Sequence, residues 1–117
     1  MIQPLSEEEI KDSLHSLKLS KYETKVYLTL LKHGPQDYKG LIKRSGVPYG
    51  KIYYTLNSLT KKGWVENLDR KPKIFYAEDP EGPLINHLSR IKKEMNDLER
   101  LILRITPQLK TLYNNSS

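Results

Sequence analysis

Nine lysines and arginines fall between positions 39 and 73, against only two carboxylates, Glu66 and Asp69, so this stretch carries +7 of a whole-chain formal charge of +6. Residues 1–38 carry −1 and residues 74–117 are balanced, with six charges of each sign. Tyr38, Tyr49, Tyr53 and Tyr54 are interleaved with these cations. Cations gathered in one stretch, with ring and hydroxyl groups between them, suit the neutralisation of phosphates and contact with bases. Other chemistries lack their residues. The 117 residues contain no cysteine, so neither a disulfide framework nor a thiolate metal site can form. His15, His33 and His87 are scattered, with no His-x-x-x-His or Glu-x-x-His pair for a metal. No Gly-rich phosphate loop is present, and Glu7-Glu8-Glu9 reads as helix N-terminal charge rather than a catalytic pair. Neither an enzyme nor a cofactor is expected.

The elements that must position these cations can be read from caps and periodicity. Ser6 to Glu9 and Ser20 to Glu23 are capping-box patterns, each opening a helix. The first runs to about Leu17, with Ile10, Leu14 and Leu17 at helical spacing. The second carries Tyr22, Val26, Tyr27, Leu30 and Leu31 on its inner side and stops at Gly34-Pro35. Asp37 is placed to cap a third helix with Leu41 and Ile42 inward, ending at Ser45-Gly46. Pro48 suits the first turn of a fourth helix, which ends at Gly63 and buries Ile52, Leu56 and Leu59. Two helices joined by a short Gly-containing turn form a helix-turn-helix pattern. Trp64-Val-Glu-Asn-Leu68 and Lys73-Ile-Phe-Tyr-Ala77, separated by a polar segment containing Pro72, predict a β-hairpin wing. The fold class expected is mainly α, a winged helix-turn-helix over residues 1–79 with a two-stranded wing.

From Asp79-Pro80 onward the pattern changes. Leu84, Leu88, Ile91, Met95, Leu98, Ile102, Ile105, Leu109 and Leu112 alternate at spacings of 4 and 3, an a/d heptad register with Leu88, Met95, Ile102 and Leu109 at a. This predicts a helix of roughly 43 Å over residues 80–113, too long for its whole stripe to be covered by so small a domain. A second copy is the simplest cover, so a homodimer is expected, with Leu84 to Leu109 as its contacts. In a parallel pair Glu94 would face Glu99 of the partner. An antiparallel pair lets Lys92 meet Glu99 and is favoured. Pro107 falls at an outward position and predicts a kink or fraying. Residues 114–117 are expected to be a disordered tail.

With Ile52, Leu56 and Leu59 inward, helical periodicity turns Gly50, Tyr54, Asn57 and Lys61 outward, with Tyr49 and Lys51 at the entrance. The second helix of a helix-turn-helix presents its N-terminal half to base edges in the major groove. Tyr49, Lys51 and Tyr54 are therefore candidate base readers, with Asn57 a weaker one, and Gly50 allows close backbone approach. Lys39, Lys43 and Arg44, on the preceding helix, suit phosphates, as does the Tyr38 hydroxyl. Arg70, Lys71 and Lys73 on the wing suit phosphates or a minor groove. Tyr53 is expected to be partly buried and Trp64 to lie in the core.

The segment Leu17-Lys-Leu-Ser-Lys-Tyr-Glu-Thr-Lys-Val-Tyr-Leu-Thr-Leu-Leu-Lys-His-Gly34 resembles the opening of the TrmB family of transcriptional regulators, found mainly in archaea. Ser45-Gly-Val-Pro-Tyr-Gly-Lys-Ile-Tyr-Tyr-Thr-Leu56 is similar to that family's recognition helix. Leu59-Thr-Lys-Lys-Gly-Trp-Val65 and Lys71-Pro-Lys-Ile-Phe-Tyr-Ala77 resemble its helix exit and wing. The resemblance covers residues 17–80 and implies binding to double-stranded DNA. Sugar-responsive members carry a large C-terminal effector domain, which does not follow here, so no ligand sensing is implied. Tyr49 and Gly50 stand where many members have Arg or small polar residues, so no target sequence carries over. The expected function is a homodimeric, sequence-specific regulator. The alternatives are an architectural DNA coat with little sequence preference and a protein-interaction adaptor. No signal peptide or membrane-spanning run is read, and a cytoplasmic, nucleoid-associated protein is expected.

Overall fold

A computed structural model describes residues 3–116. The element order is α1 (Glu7–Ser16), α2 (Lys21–His33), α3 (Tyr38–Ser45), α4 (Tyr49–Lys62), β1 (Val65–Leu68), β2 (Ile74–Ala77) and α5 (Glu81–Ser116). The chain divides into two units, Met1–Pro83 and Leu84–Ser117.

In the first unit the helices begin where side chains satisfy their first amides. Both capping boxes form, Ser6 with Glu9 and Ser20 with Glu23, and the Asp37 carboxylate accepts from the Gly40 N–H at 2.8 Å. Pro48 lies just outside α4 as its N-cap instead of within the first turn, because its ψ of 145° is still extended, and α4 starts with no side-chain cap. Helices α2, α3 and α4 exit through Gly34, Gly46 and Gly63, all at positive φ. Helix α1 exits differently. The Leu19 N–H donates to the Leu14 carbonyl at 3.0 Å and the Lys18 N–H to that of His15 at 3.1 Å, a Schellman pattern. Its left-handed position is held by Lys18 at φ 75°, where a side chain costs about 1–2 kcal/mol.

The core packs Val26, Tyr27 and Leu30 of α2 against Leu41, Ile52, Leu56 and Leu59 from the helix-turn-helix, and against Trp64, Val65 and Phe75. Trp64 meets Tyr27 edge-on at 5.1 Å, and the Tyr27 hydroxyl donates to the Glu78 carbonyl at 2.9 Å. Burial, with the nearby charges of Asp79 and Glu78, pushes that hydroxyl up to about 12. Leu31, expected inward, is exposed, because it sits a further 100° around the helix from Leu30, beyond the stripe that the core covers. Tyr22 and Ile42 are half-buried.

Glu23 was legible only as a cap, yet it is a buried carboxylate at the centre of a network. It accepts from Lys62 Nζ at 2.8 Å, Ser58 Oγ at 2.7 Å and the Ser20 N–H at 2.7 Å. Burial works to raise its pKa, but the hydrogen bonds from Lys62, Ser20 and Ser58 outweigh it and hold the carboxyl below the ordinary range. A folded-state value below the unfolded one means stability that is present above the unfolded value, near 4.5, and lost as pH falls through the folded value. Glu23→Ala is expected to destabilise the protein by about 2–3 kcal/mol, through the lost cap and the lost charge-assisted bonds. Urea unfolding at neutral pH measures this, and the difference between parent and variant should shrink in acid.

Strands β1 and β2 pair antiparallel from Val65↔Ala77 to Leu68↔Ile74, with Trp64 just ahead of the strand it was expected to begin. Gln36 adds a bridge to Phe75, with backbone bonds of 2.9 and 2.8 Å. A single residue between Pro35 and Asp37 gives no periodic strand signal, so this contact was invisible in the sequence.

Helix α5 has 36 residues, about 54 Å at 1.5 Å per residue. It continues through Pro107 and on through Asn114, Asn115 and Ser116, which were expected to be disordered; Ser117 lies outside the described residues. No Gly or Pro follows Pro107 to stop it, and the Ser116 hydroxyl donates to the Tyr113 carbonyl at 2.9 Å. Every residue from Leu88 to Ser116 is exposed in the single chain.

Candidate nucleic-acid interface

Helices α3 and α4 are joined by Gly46-Val47-Pro48. Val47 is buried, and the Gly46 left-handed turn lets α4 set off in a new direction. The inner face of α4 is fixed by Ile52, Thr55, Leu56 and Leu59. That anchoring turns Gly50, Tyr54, Asn57 and Lys61 to solvent, as periodicity predicted, and Tyr49 and Lys51 at the entrance are exposed as well. Tyr49 and Tyr54 are 70% and 79% exposed, a large apolar ring area left uncovered on a small domain. Lys39, Lys43 and Arg44 on α3 are exposed too, as are Arg70 and Lys71 on the wing, while Lys73 is half-buried.

The ion pairs sort these cations. Lys39, Lys43, Arg44, Lys51, Lys61, Arg70, Lys71 and Lys73 form no salt bridge among the described residues. The ninth cation of the stretch, Lys62, is bound to Glu23 at 2.8 Å and also donates to the Lys18 carbonyl at 2.8 Å. Eight positive charges therefore stand without a carboxylate, and the other is used inside the fold.

A chain of aromatic rings fastens the start of α4 to its surroundings. Tyr49 meets Tyr53 edge-on at 6.4 Å, Tyr53 lies 4.4 Å from Tyr38, and Tyr38 meets Phe75 at 4.9 Å. Tyr53, expected to be partly buried, keeps 49% of its surface exposed because it lies against Tyr38 on the helix flank rather than entering the core. Tyr38 is half-buried, and burial together with Tyr53 raises its hydroxyl above the ordinary tyrosine value. In the sequence these tyrosines stand as separate positions. Their contact depends on how α3 crosses α4, which no local pattern encodes. Gly50 sits in open space, since a Cβ built there would meet nothing within 4 Å. Nothing within the described fold requires a glycine at that position.

Among the described residues no group of three or more His, Asp or Glu side chains is placed to hold a metal ion. Among the described residues no helix is long and apolar enough to cross a membrane.

A helix-turn-helix followed by a two-stranded wing defines a winged-helix protein. Residues 14–81 match the model of the family described as sugar-specific transcriptional regulator TrmB, and the chain belongs to that family. It is 39% identical over 101 residues to the HTH-type sugar sensing transcriptional regulator TrmBL1 of Pyrococcus furiosus, covering 80% of this chain and 30% of that protein. It is 43% identical over 56 residues to YrhO of Bacillus subtilis, covering 48% of this chain and 20% of that one. The chain thus spans less than a third of the length of these relatives. Among solved structures, TrmBL2, an archaeal chromatin protein, superposes with a TM-score of 0.81 at 22% identity, over 94% of this chain and 44% of that one. The transcriptional regulator Tm0710 of Thermotoga maritima does so with a TM-score of 0.54 at 14% identity, over 93% and 88%.

Proposed function

We propose that this chain is a sequence-specific, double-stranded DNA-binding transcriptional regulator that works as a homodimer. Residues 1–79 would bind DNA and residues 80–113 would pair the copies. The observation that carries this reading is the set of eight exposed or half-exposed cations without carboxylate partners on α3, α4 and the wing. Exposed charges with no internal use are what counterion release from a duplex requires. Helix α4 enters the major groove. Lys51 reaches guanine acceptors, Tyr49 and Tyr54 pack on thymine methyls, and Asn57 reads adenine where it can reach. Lys39, Lys43, Arg44, Lys61 and the wing residues Arg70, Lys71 and Lys73 hold phosphates, as does the hydroxyl of Tyr38.

The dimer rests on α5. Its a and d residues from Leu88 to Leu112 stand 39–66% exposed in one chain, a stripe that water disfavours and a second copy can cover. Charge complementarity favours the antiparallel arrangement, since parallel strands would oppose Glu94 and Glu99 whereas antiparallel ones bring Lys92 to Glu99. A two-fold dimer implies an operator with two related half-sites.

Selection of bound duplexes from a random pool tests the reading. Enrichment of a two-part motif supports it. A flat profile with strong binding would favour an architectural DNA coat, a role that the exposed α4 surface, rich in Tyr and without Arg, would also fit. No binding at all would leave a protein-interaction adaptor. Gly50 offers a finer check. Gly50→Ala is expected to stabilise the fold by about 0.5–1 kcal/mol, because alanine is the better helix former and has room. The same methyl should weaken duplex binding by holding the α4 backbone off the groove. Thermal melting and a binding titration on one preparation measure both effects.

A further inference from the structure

The exit of α1 is built unlike those of α2, α3 and α4. Those three helices leave through glycine, for which a positive φ carries no Cβ clash. Helix α1 leaves through Lys18 at φ 75°. The surrounding turn over-determines this conformation. Leu19 is buried, the two Schellman bonds are made, and the Lys18 carbonyl accepts from Lys62 Nζ, which is itself held by Glu23. None of these restraints uses the Lys18 side chain. That side chain is exposed and has no salt bridge among the described residues. A glycine would keep every backbone contact of the turn without strain.

The position of Lys18 shows what its ammonium can reach. It lines an open cleft of about 560 Å³ together with Lys51 and Tyr54, the residues of α4 assigned above to bases, and with Ser20 and Tyr22. The capping box satisfies the Ser20 and Glu23 amides at the start of α2, and the Glu23 carboxylate beside them disfavours an anion at that helix end. Lys62 is committed to Glu23. The lysines free to neutralise an anion in the cleft are Lys18 and Lys51. Charge counting along the sequence hides Lys18, because it sits in an N-terminal stretch whose net charge is −1.

We propose that Lys18 is a DNA-backbone contact, its ammonium holding a phosphate of the strand that passes the cleft beside α4. The inference rests on the DNA-binding reading above and extends its footprint to the α1–α2 turn. Strain retained where a relaxed residue would fit is expected where the side chain is used. A phosphate contact sets affinity and register and leaves sequence choice unchanged.

Lys18→Gly and Lys18→Arg in the full chain test this, with thermal melting and duplex binding titrated over a range of salt. The glycine variant is expected to melt at or above the parent temperature and to bind duplex about three- to tenfold more weakly. Its salt dependence should flatten by about 0.9 in log–log slope for each lost phosphate contact, hence about 1.8 per dimer. The arginine variant should keep the parent affinity and slope. A glycine variant with unchanged affinity and slope would overturn the proposal, as would one that melts well below the parent, or an arginine variant that behaves like glycine. Lys51→Ala combined with Lys71→Ala serves as the control. If that pair loses binding while Lys18→Gly does not, only the assignment of Lys18 falls. If neither loses binding, the assignment of the α4 and wing surface to DNA falls with it.

Discussion

Met95→Asp combined with Ile102→Asp is expected to yield a monomer that binds duplex DNA about 10²- to 10⁴-fold more weakly than the parent, the range that linkage of two binding modules supplies. Both residues occupy a positions of α5, and they are 64% and 51% exposed in the single chain. In a paired seam each would be buried, and a carboxylate there would be taken out of water without a partner. The loss of affinity would come through lost bivalence, because neither residue belongs to the helix-turn-helix or the wing. Two readouts separate this outcome from general unfolding. Trp64, the single tryptophan, is 4% exposed within the first unit, so its emission should be unchanged. Far-ultraviolet helicity should fall, since an amphipathic helix draws most of its stability from packing its apolar face. Sedimentation that still shows a dimer, or a monomer with undiminished affinity, would remove α5 from the mechanism.

The second large effect is expected from Lys51→Ala combined with Lys71→Ala. Lys51 lies in the first turn of α4 and Lys71 at the wing tip, and both are exposed. Neither forms an ion pair among the described residues, so truncation leaves no buried carboxylate behind. Stability should change by less than about 0.5 kcal/mol. In a dimer the pair removes four charges, which corresponds to a salt slope smaller by about 3.6 if each meets a phosphate. If Lys51 instead reads a base, its share appears as discrimination, about 1–3 kcal/mol per contact. Either way duplex affinity should fall by about two to three orders of magnitude at moderate salt. The expected loss with an intact fold would count against the adaptor reading, and undiminished duplex binding would remove Lys51 and Lys71 from the interface.

Much of the fold could be read in the chain because local rules and tertiary packing agree. Ser6, Ser20, Asp37, Gly46 and Gly63 mark helix ends that the structure keeps within a residue or so, and the Ile52, Leu56 and Leu59 stripe fixes which side of α4 faces out. The outward set Gly50, Tyr54, Asn57 and Lys61 follows from that stripe alone. What the sequence hid depends on contacts between distant residues. Glu23 reads as an N-terminal cap, and its pairing with Lys62, 39 residues away, requires α2 to lie against α4. The rings of Tyr38, Tyr53 and Phe75 come from three separate elements. Lys18 gives no signal because lysine is unusual in a left-handed turn, and a search for glycine passes over it. The end of α5 shows the opposite case. Asn114, Asn115 and Ser116 are weak helix formers, but a helix already propagated from Glu81 carries through them.

The most direct test of DNA binding by this surface is a salt titration of the unmodified chain on duplex DNA. A dimer that places six to ten of its cations on phosphates should lose about 10³- to 10⁵-fold in affinity between roughly 50 and 200 mM salt, with a straight log–log plot. A flat dependence, or no duplex binding at the low end, would contradict the assignment of α3, α4 and the wing to the DNA backbone.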